Sequence, residues 1–441
     1  MKTFKRGGIH PKENKISSAY PIEVIPPPAI VYIPLSQHAG MPAIPVVNKN
    51  DKVKTGQLIA KAQGFISADI HSSVSGIVTN IQDIADAAGY LKKAIIIKTE
   101  GDEWLENIER GNTLVKNISL SQTEIIEKIK DSGIVGLGGA AFPTHIKLTP
   151  PKGKIAEILI INGAECEPYL TSDHRLMIEK GDEIMVGITI LLKALNVEKA
   201  IIGIEANKQD AINILTSISE KYENIEVHTL KVKYPQGSEK QLIKALTGRE
   251  VPSQKLPVDV GCVVQNIGTT FAVYEAVQKN KPLIERVVTV SGSSIKKPSN
   301  FLVRIGTPVS FLIEKAGGLP ENTGKIISGG TMMGKSFLNI EMPVVKGMSG
   351  VTVLDEKETL RMKALNCIRC GKCVKVCPMG LAPYLLATIS EHSGFEKAEK
   401  EKIMDCMECG SCSYICPSGR PLLDYIRVGK IKTGEIIRKR N

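Results

Sequence analysis

The sequence predicts a multidomain α/β chain of four consecutive units, and three observations predict it. Short apolar stretches bounded by glycine follow a proline-dense start, apolar runs alternate with helical segments through the middle, and eight of ten cysteines fall between Cys367 and Cys416. With 441 residues, 42% hydrophobic and 23% charged, the composition is globular and long enough for roughly three domains of ordinary size. Disorder and fibrous architectures are excluded. The clustered cysteines also exclude a secreted disulfide scaffold and point to a reducing compartment. The basic N-terminus has no apolar run behind it, unlike a signal peptide. The longest apolar run, around Ile184 to Leu192, is far short of the roughly 20 residues of a membrane span.

Residues 20–45 hold seven prolines, which forbid helix and favour extended, edge-like segments. From Asp51 the apolar stretches Gln57-Leu-Ile-Ala, Gly76-Ile-Val-Thr-Asn-Ile and Ala94-Ile-Ile-Ile-Lys read as a small all-β unit, taken as 1–105. Through Gly56-Gln-Leu-Ile-Ala and Val74-Ser-Gly-Ile-Val this unit resembles the barrel-sandwich domains that carry biotin or lipoate. Those carriers need a lysine at the hairpin tip, and none occurs here between Lys61 and Lys92. The expectation is a docking or structural module.

A polar stretch from Glu100 to Ser121 reads as a linker. The next unit, 120–280, opens with a helical segment at Thr123 to Lys130 and the glycine cluster Gly133 to Ala141. Apolar runs at Ile158–Ile161, Ala200–Ile204 and Ile225–Leu230 then alternate with helices at Glu183–Leu195 and Lys208–Tyr222, the second with Asn207 as expected N-cap. Such alternation predicts a Rossmann-like parallel sheet with right-handed crossovers. The third unit, 281–345, reads as β-grasp: strands at Arg286–Ser291, Phe301–Ile305 and Lys325–Gly330 around a helix at Val309–Ala316. From Glu356 the chain is expected to turn helical. The last unit, 356–427, is read as a helical ferredoxin-like domain, because 28 largely helix-forming residues, Pro378 to Asp405, separate its cysteine clusters.

Those clusters are Cys367-x2-Cys370-x2-Cys373-x3-Cys377-Pro378 and Cys406-x2-Cys409-x2-Cys412-x3-Cys416-Pro417. Each matches the ferredoxin run in which three thiolates hold one [4Fe–4S] cube and the fourth holds the other. The pattern assigns Cys367, Cys370, Cys373 and Cys416 to one cluster, and Cys377, Cys406, Cys409 and Cys412 to the other. Two four-cysteine zinc sites are the competing reading, but zinc does not require the repeated third step or the terminal Cys-Pro. Clusters that exchange ligands lie close together, as a one-electron relay needs.

Gly136-Leu-Gly-Gly-Ala-Ala-Phe-Pro-Thr has dinucleotide-loop spacing, yet what precedes it looks helical where that motif demands a strand. Spacing alone fits a phosphate loop and an ordinary turn equally. With Lys147, the segment is similar to the flavin and NADH loop of the NADH-binding flavoprotein subunit of respiratory complex I. Further matches are Asn162-Gly-Ala-Glu-Cys-Glu-Pro168, Tyr234-Pro-Gln-Gly-Ser-Glu239 and Gln265-Asn-Ile-Gly-Thr269. Their order, the β-grasp unit, the cysteine domain and the N-terminal Tyr32-Ile-Pro-Leu-Ser-Gln-His segment make the whole chain look like the RnfC family, peripheral subunits of ferredoxin:NAD+ oxidoreductases. Leu137, Ala164 and Gln265 depart from the complex I pattern, which has arginine, aspartate and asparagine there.

The resemblance implies FMN, an NAD(H) site and two [4Fe–4S] clusters. Gly136, Gly138 and Gly139 would let backbone approach a phosphate, with Lys147 as the cation. Asn162 and Asn266 would bond the flavin edge, Phe142 would stack on a ring, and Glu165, Glu167 and Glu239 would accept ribose hydroxyls or position the hydride donor, beside Tyr234. It further implies a redox enzyme subunit on the cytoplasmic face of the cell membrane, in contact with membrane-embedded and iron–sulfur subunits and, through them, ferredoxin. A soluble cobalamin reductase and a non-catalytic ferredoxin-type relay are the alternatives. His145 is the one histidine near the glycine loop, and Cys166 and Cys262 read as buried thiols. Nucleic acid is not expected as a partner, with aromatics at 4% and a single tryptophan, Trp104. The formal charge of +11 falls to roughly +7 once two oxidised clusters of about −2 replace eight neutral thiols.

Overall fold

A computed structural model describes residues 1–440 except 88 and 338. Two small antiparallel sheets form the N-terminal barrel-sandwich. One orders Ile30–Pro34, Leu91–Thr99, Gly76–Ala85 and Lys52–Val53; the other orders Ile44–Pro45, Leu58–Lys61 and Ile70–His71. Alternation drives the arrangement: Val31 and Ile33 on one strand and Ile95 and Ile97 on its partner are fully buried between the sheets with Ile59 and Ile70. Prolines sit at the strand ends Pro34 and Pro45, where no ladder donor is lost.

The first 25 residues, within the expected unit 1–105, lie outside these two sheets and reach the other units. Lys2 bridges Leu230, Ile9 bridges Tyr234, and Ile22–Val24 pairs in parallel with Ser299–Arg304. On the way, the Gly8 N–H donates to the Val376 carbonyl at 2.8 Å. This segment ties three units together. Nor is Glu100–Ser121 a free linker: Trp104 is held between the guanidinium groups of Arg110 and Arg304, 4.7 and 4.4 Å from its ring.

The central unit is a four-stranded parallel sheet ordered Ile225–Leu230, Lys199–Glu205, Ile158–Gly163, Cys262–Asn266. Its two inner strands, Ile158–Gly163 and Lys199–Glu205, are largely apolar because both faces are covered, whereas the edge strand Ile225–Leu230 carries the exposed Glu226. Leu159 and Ile161 enter the larger core with helices Gly181–Leu195 and Ile267–Lys279, while Ile160 faces the core closed by helix Glu239–Thr247. Helix Gln122–Asp131 starts at a capping box of Ser121 and Glu124. Asn207 is not a cap. Helix Gln209–Ser219 begins after Lys208, and the Asn207 amide instead donates to Glu13 at 2.6 Å. The chain builds outward from the central strand Ile158–Gly163 to one side, then returns to place Cys262–Asn266 on the other. The crevice outside the carboxyl ends of these two strands is the topological switch point, where open α/β sheets bind ligands.

The β-grasp sheet has six strands in the order Ile22–Val24, Ser299–Arg304, Glu285–Ser291, Gly350–Asp355, Thr323–Ser328, Lys335–Ser336, with helix Val309–Lys315 against it. Two of these strands lie outside the expected 281–345. The expected helix from Glu356 ends at Thr359, and exposed chain without regular structure leads to helix Lys372–Val376. Helices Pro383–Glu391, Phe395–Lys400, Ser411–Tyr414 and Leu422–Arg440 complete the cysteine domain, and the last runs past the expected boundary at 427.

Candidate functional site

A pocket of about 370 Å³ opens at the switch point, within the size range of small-molecule sites. Ten of the eleven residues expected to hold flavin or nicotinamide line it. The exception is Gly139, whose φ of +113° suits glycine and beside which a Cβ would meet nothing within 4 Å. The glycine loop does not rise from a strand. It follows helix Gln122–Asp131, and the Leu137 N–H is anchored at 2.8 Å by the Thr269 hydroxyl.

Several expected ligands already have partners in the chain. Lys147 Nζ donates to Glu239 Oε1 at 2.6 Å and to the Val264 carbonyl at 3.2 Å, so cation and carboxylate meet each other on the pocket wall. Asn162 and Asn266 stand opposite in register on adjacent strands. The Asn162 amide donates to the Gly237 carbonyl at 2.7 Å, while Asn266 caps helix Ile267–Lys279 through Thr269 N–H and donates to Asp173 Oδ2 at 2.6 Å. Each amide keeps one further N–H for a ligand. Glu165 accepts from the Asp173 and His174 N–H groups at 2.8 and 3.2 Å, at the start of helix Ser172–Glu179. Glu167 accepts from Tyr234 Oη and from the Met332 and Met333 N–H groups at 3.0 to 3.2 Å, and burial pushes its carboxyl up. A Cβ on Gly330 would strike Glu167 Oε2, so only glycine allows this approach.

Charged residues that no sequence motif singles out hold the site in shape. Lys15 Nζ donates to the carbonyls of Glu165, Glu167 and Leu170 at 2.6 to 2.9 Å, and burial beside Lys208 brings its pKa down to about 8. Asp173, on the pocket wall, is pushed up to about 7 by burial and by Glu165, against the pull of Asn266 and Arg286. No local signal marks them, because each acts on residues remote in sequence. Replacing Lys15 by Met leaves three inward carbonyls without a donor. It is expected to cost about 2–4 kcal/mol, measured as an earlier unfolding transition of the cofactor-loaded protein.

The eight clustered cysteines are all free and stand around two cavities. One is lined by Cys377, Cys406, Cys409 and Cys412, the other by Cys367, Cys370, Cys373 and Cys416. Each cavity thus draws three thiols from one cysteine run and one from the other, the exchange of ligands that the ferredoxin pattern requires. The first cavity abuts the switch-point pocket. Met407 lines both, and Tyr234 Oη donates to the Cys409 carbonyl at 2.8 Å. His145 is outside the pocket lining, and burial pushes the Cys166 and Cys262 thiols up, consistent with unreactive cysteines.

The pocket also passes a test of fit. Gln265 Nε2 is buried on this wall without a partner, a donor awaiting an acceptor such as a flavin carbonyl. Comparison with known proteins decides the family. The chain is 48% identical, over 91% of its length and 87% of the other's, to a subunit of the proton-translocating ferredoxin:NAD(+) oxidoreductase complex of Clostridium ljungdahlii. It is 43% identical to a subunit of the Na(+)-translocating complex of Acetobacterium woodii, covering 97% and 96%. The chain belongs to the RnfC family. Family models place an RnfC barrel sandwich hybrid domain at 2–102, a Nuo51 FMN-binding domain at 129–275, an SLBB domain at 287–336 and a 4Fe-4S dicluster domain at 366–420. The cofactors of this RnfC chain are therefore FMN and two [4Fe–4S] clusters. An NAD+-reducing [NiFe]-hydrogenase in the H2-reduced state shares the fold, with TM-score 0.50 and 19% identity over 71% of this chain and 63% of that one.

Proposed function

We propose that this chain is the electron-transfer subunit of an ion-translocating ferredoxin:NAD+ oxidoreductase complex, exchanging hydride with NAD(H) at the switch-point pocket and passing single electrons through its cysteine domain. The observation that carries this reading is the shared wall of Met407, Tyr234 and Cys409 between pocket and nearer cysteine cavity. FMN, when bound, supplies the conversion between a two-electron hydride and one-electron carriers. The chain's residues supply the rest. Gly136 and Gly138 let backbone approach, Gln265 and the spare N–H groups of Asn162 and Asn266 offer donors, Phe142 offers a stacking face, and Glu165, Glu167, Glu239, Lys147 and Tyr234 fix the walls. Cys377, Cys406, Cys409 and Cys412 hold the inner cluster; Cys367, Cys370, Cys373 and Cys416 hold the outer.

No helix among the described residues is long and apolar enough to cross a membrane. We assign ion translocation to membrane-embedded partner subunits, this chain to the cytoplasmic membrane face beside them, and exchange with ferredoxin to iron–sulfur subunits. Anaerobically purified protein is expected to hold about one FMN and about eight irons and to reduce an artificial acceptor with NADH. Clusters without FMN or NADH oxidation would leave only a relay, and reduction of a corrinoid in place of NAD+ would make it a cobalamin reductase.

A further inference from the structure

Behind the flavin pocket lies a second cavity of about 20 Å³, room for about one water. It shares Leu137 and Asp173 with the pocket, and Phe271, Glu275 and Glu285 with a cleft of about 440 Å³ between the α/β and β-grasp units. Shared lining residues thus place the three volumes side by side, from pocket to outer cleft. A carboxyl stands at each junction: Asp173 at the inner one, Glu275 and Glu285 at the outer.

The chemistry of the pocket needs such a route. Oxidation of NADH by one-electron carriers follows NADH → NAD+ + 2 e− + H+, and full reduction of a flavin by hydride takes up a further proton that leaves again when the electrons do. Hydride transfer requires reacting atoms at about 3–3.5 Å, so a nicotinamide in position would cover the open side of the pocket. Protons are left with the rear wall.

We propose that Asp173 carries protons between the flavin pocket and the outer cleft, by way of one water in the rear cavity and Glu275. This rests on the flavin reading above. Each hop breaks one O–H bond and makes another without moving electrons, and Asp173 returns to its starting state after each proton passes. The surroundings of Asp173 tune it. Burial and Glu165, from the preceding loop, raise its proton affinity, while the Asn266 amide, the Arg286 guanidinium and the Gly268 N–H lower it, and the balance near neutrality suits a carrier. Glu275 is held by Lys281 at 2.6 Å, Lys281 also pairs with Glu285, and Arg304 lies 3.3 Å from Glu285. Burial and Glu285 raise Glu275, while Lys281 and Lys180 lower it. Burial also pushes Glu285 up, but Lys281, Arg304 and Arg110 together draw it down.

Gly268→Ala tests the water. Its Cβ would stand 3.5 Å from Asp173 Oδ1 and 3.6 Å from Leu137 Cβ, inside the rear cavity, and 3.2 Å from Asn266 Oδ1. The position is helical, so alanine suits the backbone. Protein is mixed anaerobically with NADH in weak buffer, and flavin bleaching is followed together with a pH indicator. In the parent chain the two signals keep pace. In Gly268→Ala and Glu275→Gln, the proton signal is expected to trail by about tenfold or more, with flavin and iron contents unchanged. Synchronous signals in flavin-replete Gly268→Ala and Glu275→Gln overturn the relay and leave the functional reading intact. A parent chain whose flavin NADH does not bleach overturns both. Glu275 is outside the flavin pocket lining, so Glu275→Gln decides if Gly268→Ala loses flavin.

Discussion

A chain carrying both Cys377→Ala and Cys406→Ala is expected to retain about four of its eight irons. The two residues are 29 positions apart and belong to different sequence motifs, yet they line the same cavity, together with Cys409 and Cys412. If they serve one cluster, the double substitution removes that cluster alone. The quartet around Cys367, Cys370, Cys373 and Cys416 is untouched. If instead each run of four cysteines held its own cluster, both would lose a ligand and iron would fall toward zero. Cys373→Ala with Cys377→Ala reverses the expectation: these neighbours line different cavities, so both clusters are lost. Iron and acid-labile sulfide per chain, with the electron spin resonance spectrum of the reduced protein, read the outcome. Four irons in the Cys373/Cys377 variant would sink the assignment.

Gly138→Leu is expected to lower FMN occupancy below about one tenth while leaving iron content unchanged, since the two sites sit in different units. A Cβ at Gly138 meets the Asn266 side chain at 3.5 Å, ordinary contact distance, so the backbone tolerates it. The remaining carbons of leucine then enter the space where the flavin would lie against the glycine loop. Loss is steric and does not unfold the chain. Flavin released on denaturation, cluster absorbance and the unfolding transition measure the three quantities separately. Retention of flavin in this variant would show that the group sits elsewhere.

Strands whose two faces are both buried announce themselves in sequence, as Ile158–Ile161 and Ala200–Ile204 do. So does a cysteine repeat, because cluster geometry fixes its spacing. Features set by distant partners leave no such mark. Gly350–Asp355 is as apolar as any neighbour, but its place between Glu285–Ser291 and Thr323–Ser328 is a matter of pairing. Asn207 has the right residue type for a cap, yet Glu13 and Lys208 compete for its amide and win. In the pocket, motif residues came from resemblance, while Lys15 and Asp173 came only from the three-dimensional arrangement. Lys15 works through three backbone carbonyls about 150 positions away, and backbone acceptors leave no imprint on residue identity.

The strap of residues 2–24 also orders events during synthesis. It leaves the ribosome well before its partners: Ile22–Val24 waits for Ser299–Arg304 and Gly8 waits for Val376. Loop-closure entropy grows only logarithmically with the intervening length, but the delay on the ribosome grows with every residue added. At about 5–20 residues per second, several hundred residues mean tens of seconds with the strap unpartnered. Through Gly8, which would be held only once Val376 beside Cys377 is in place, closing the strap becomes a late step that reports completion of the cysteine domain.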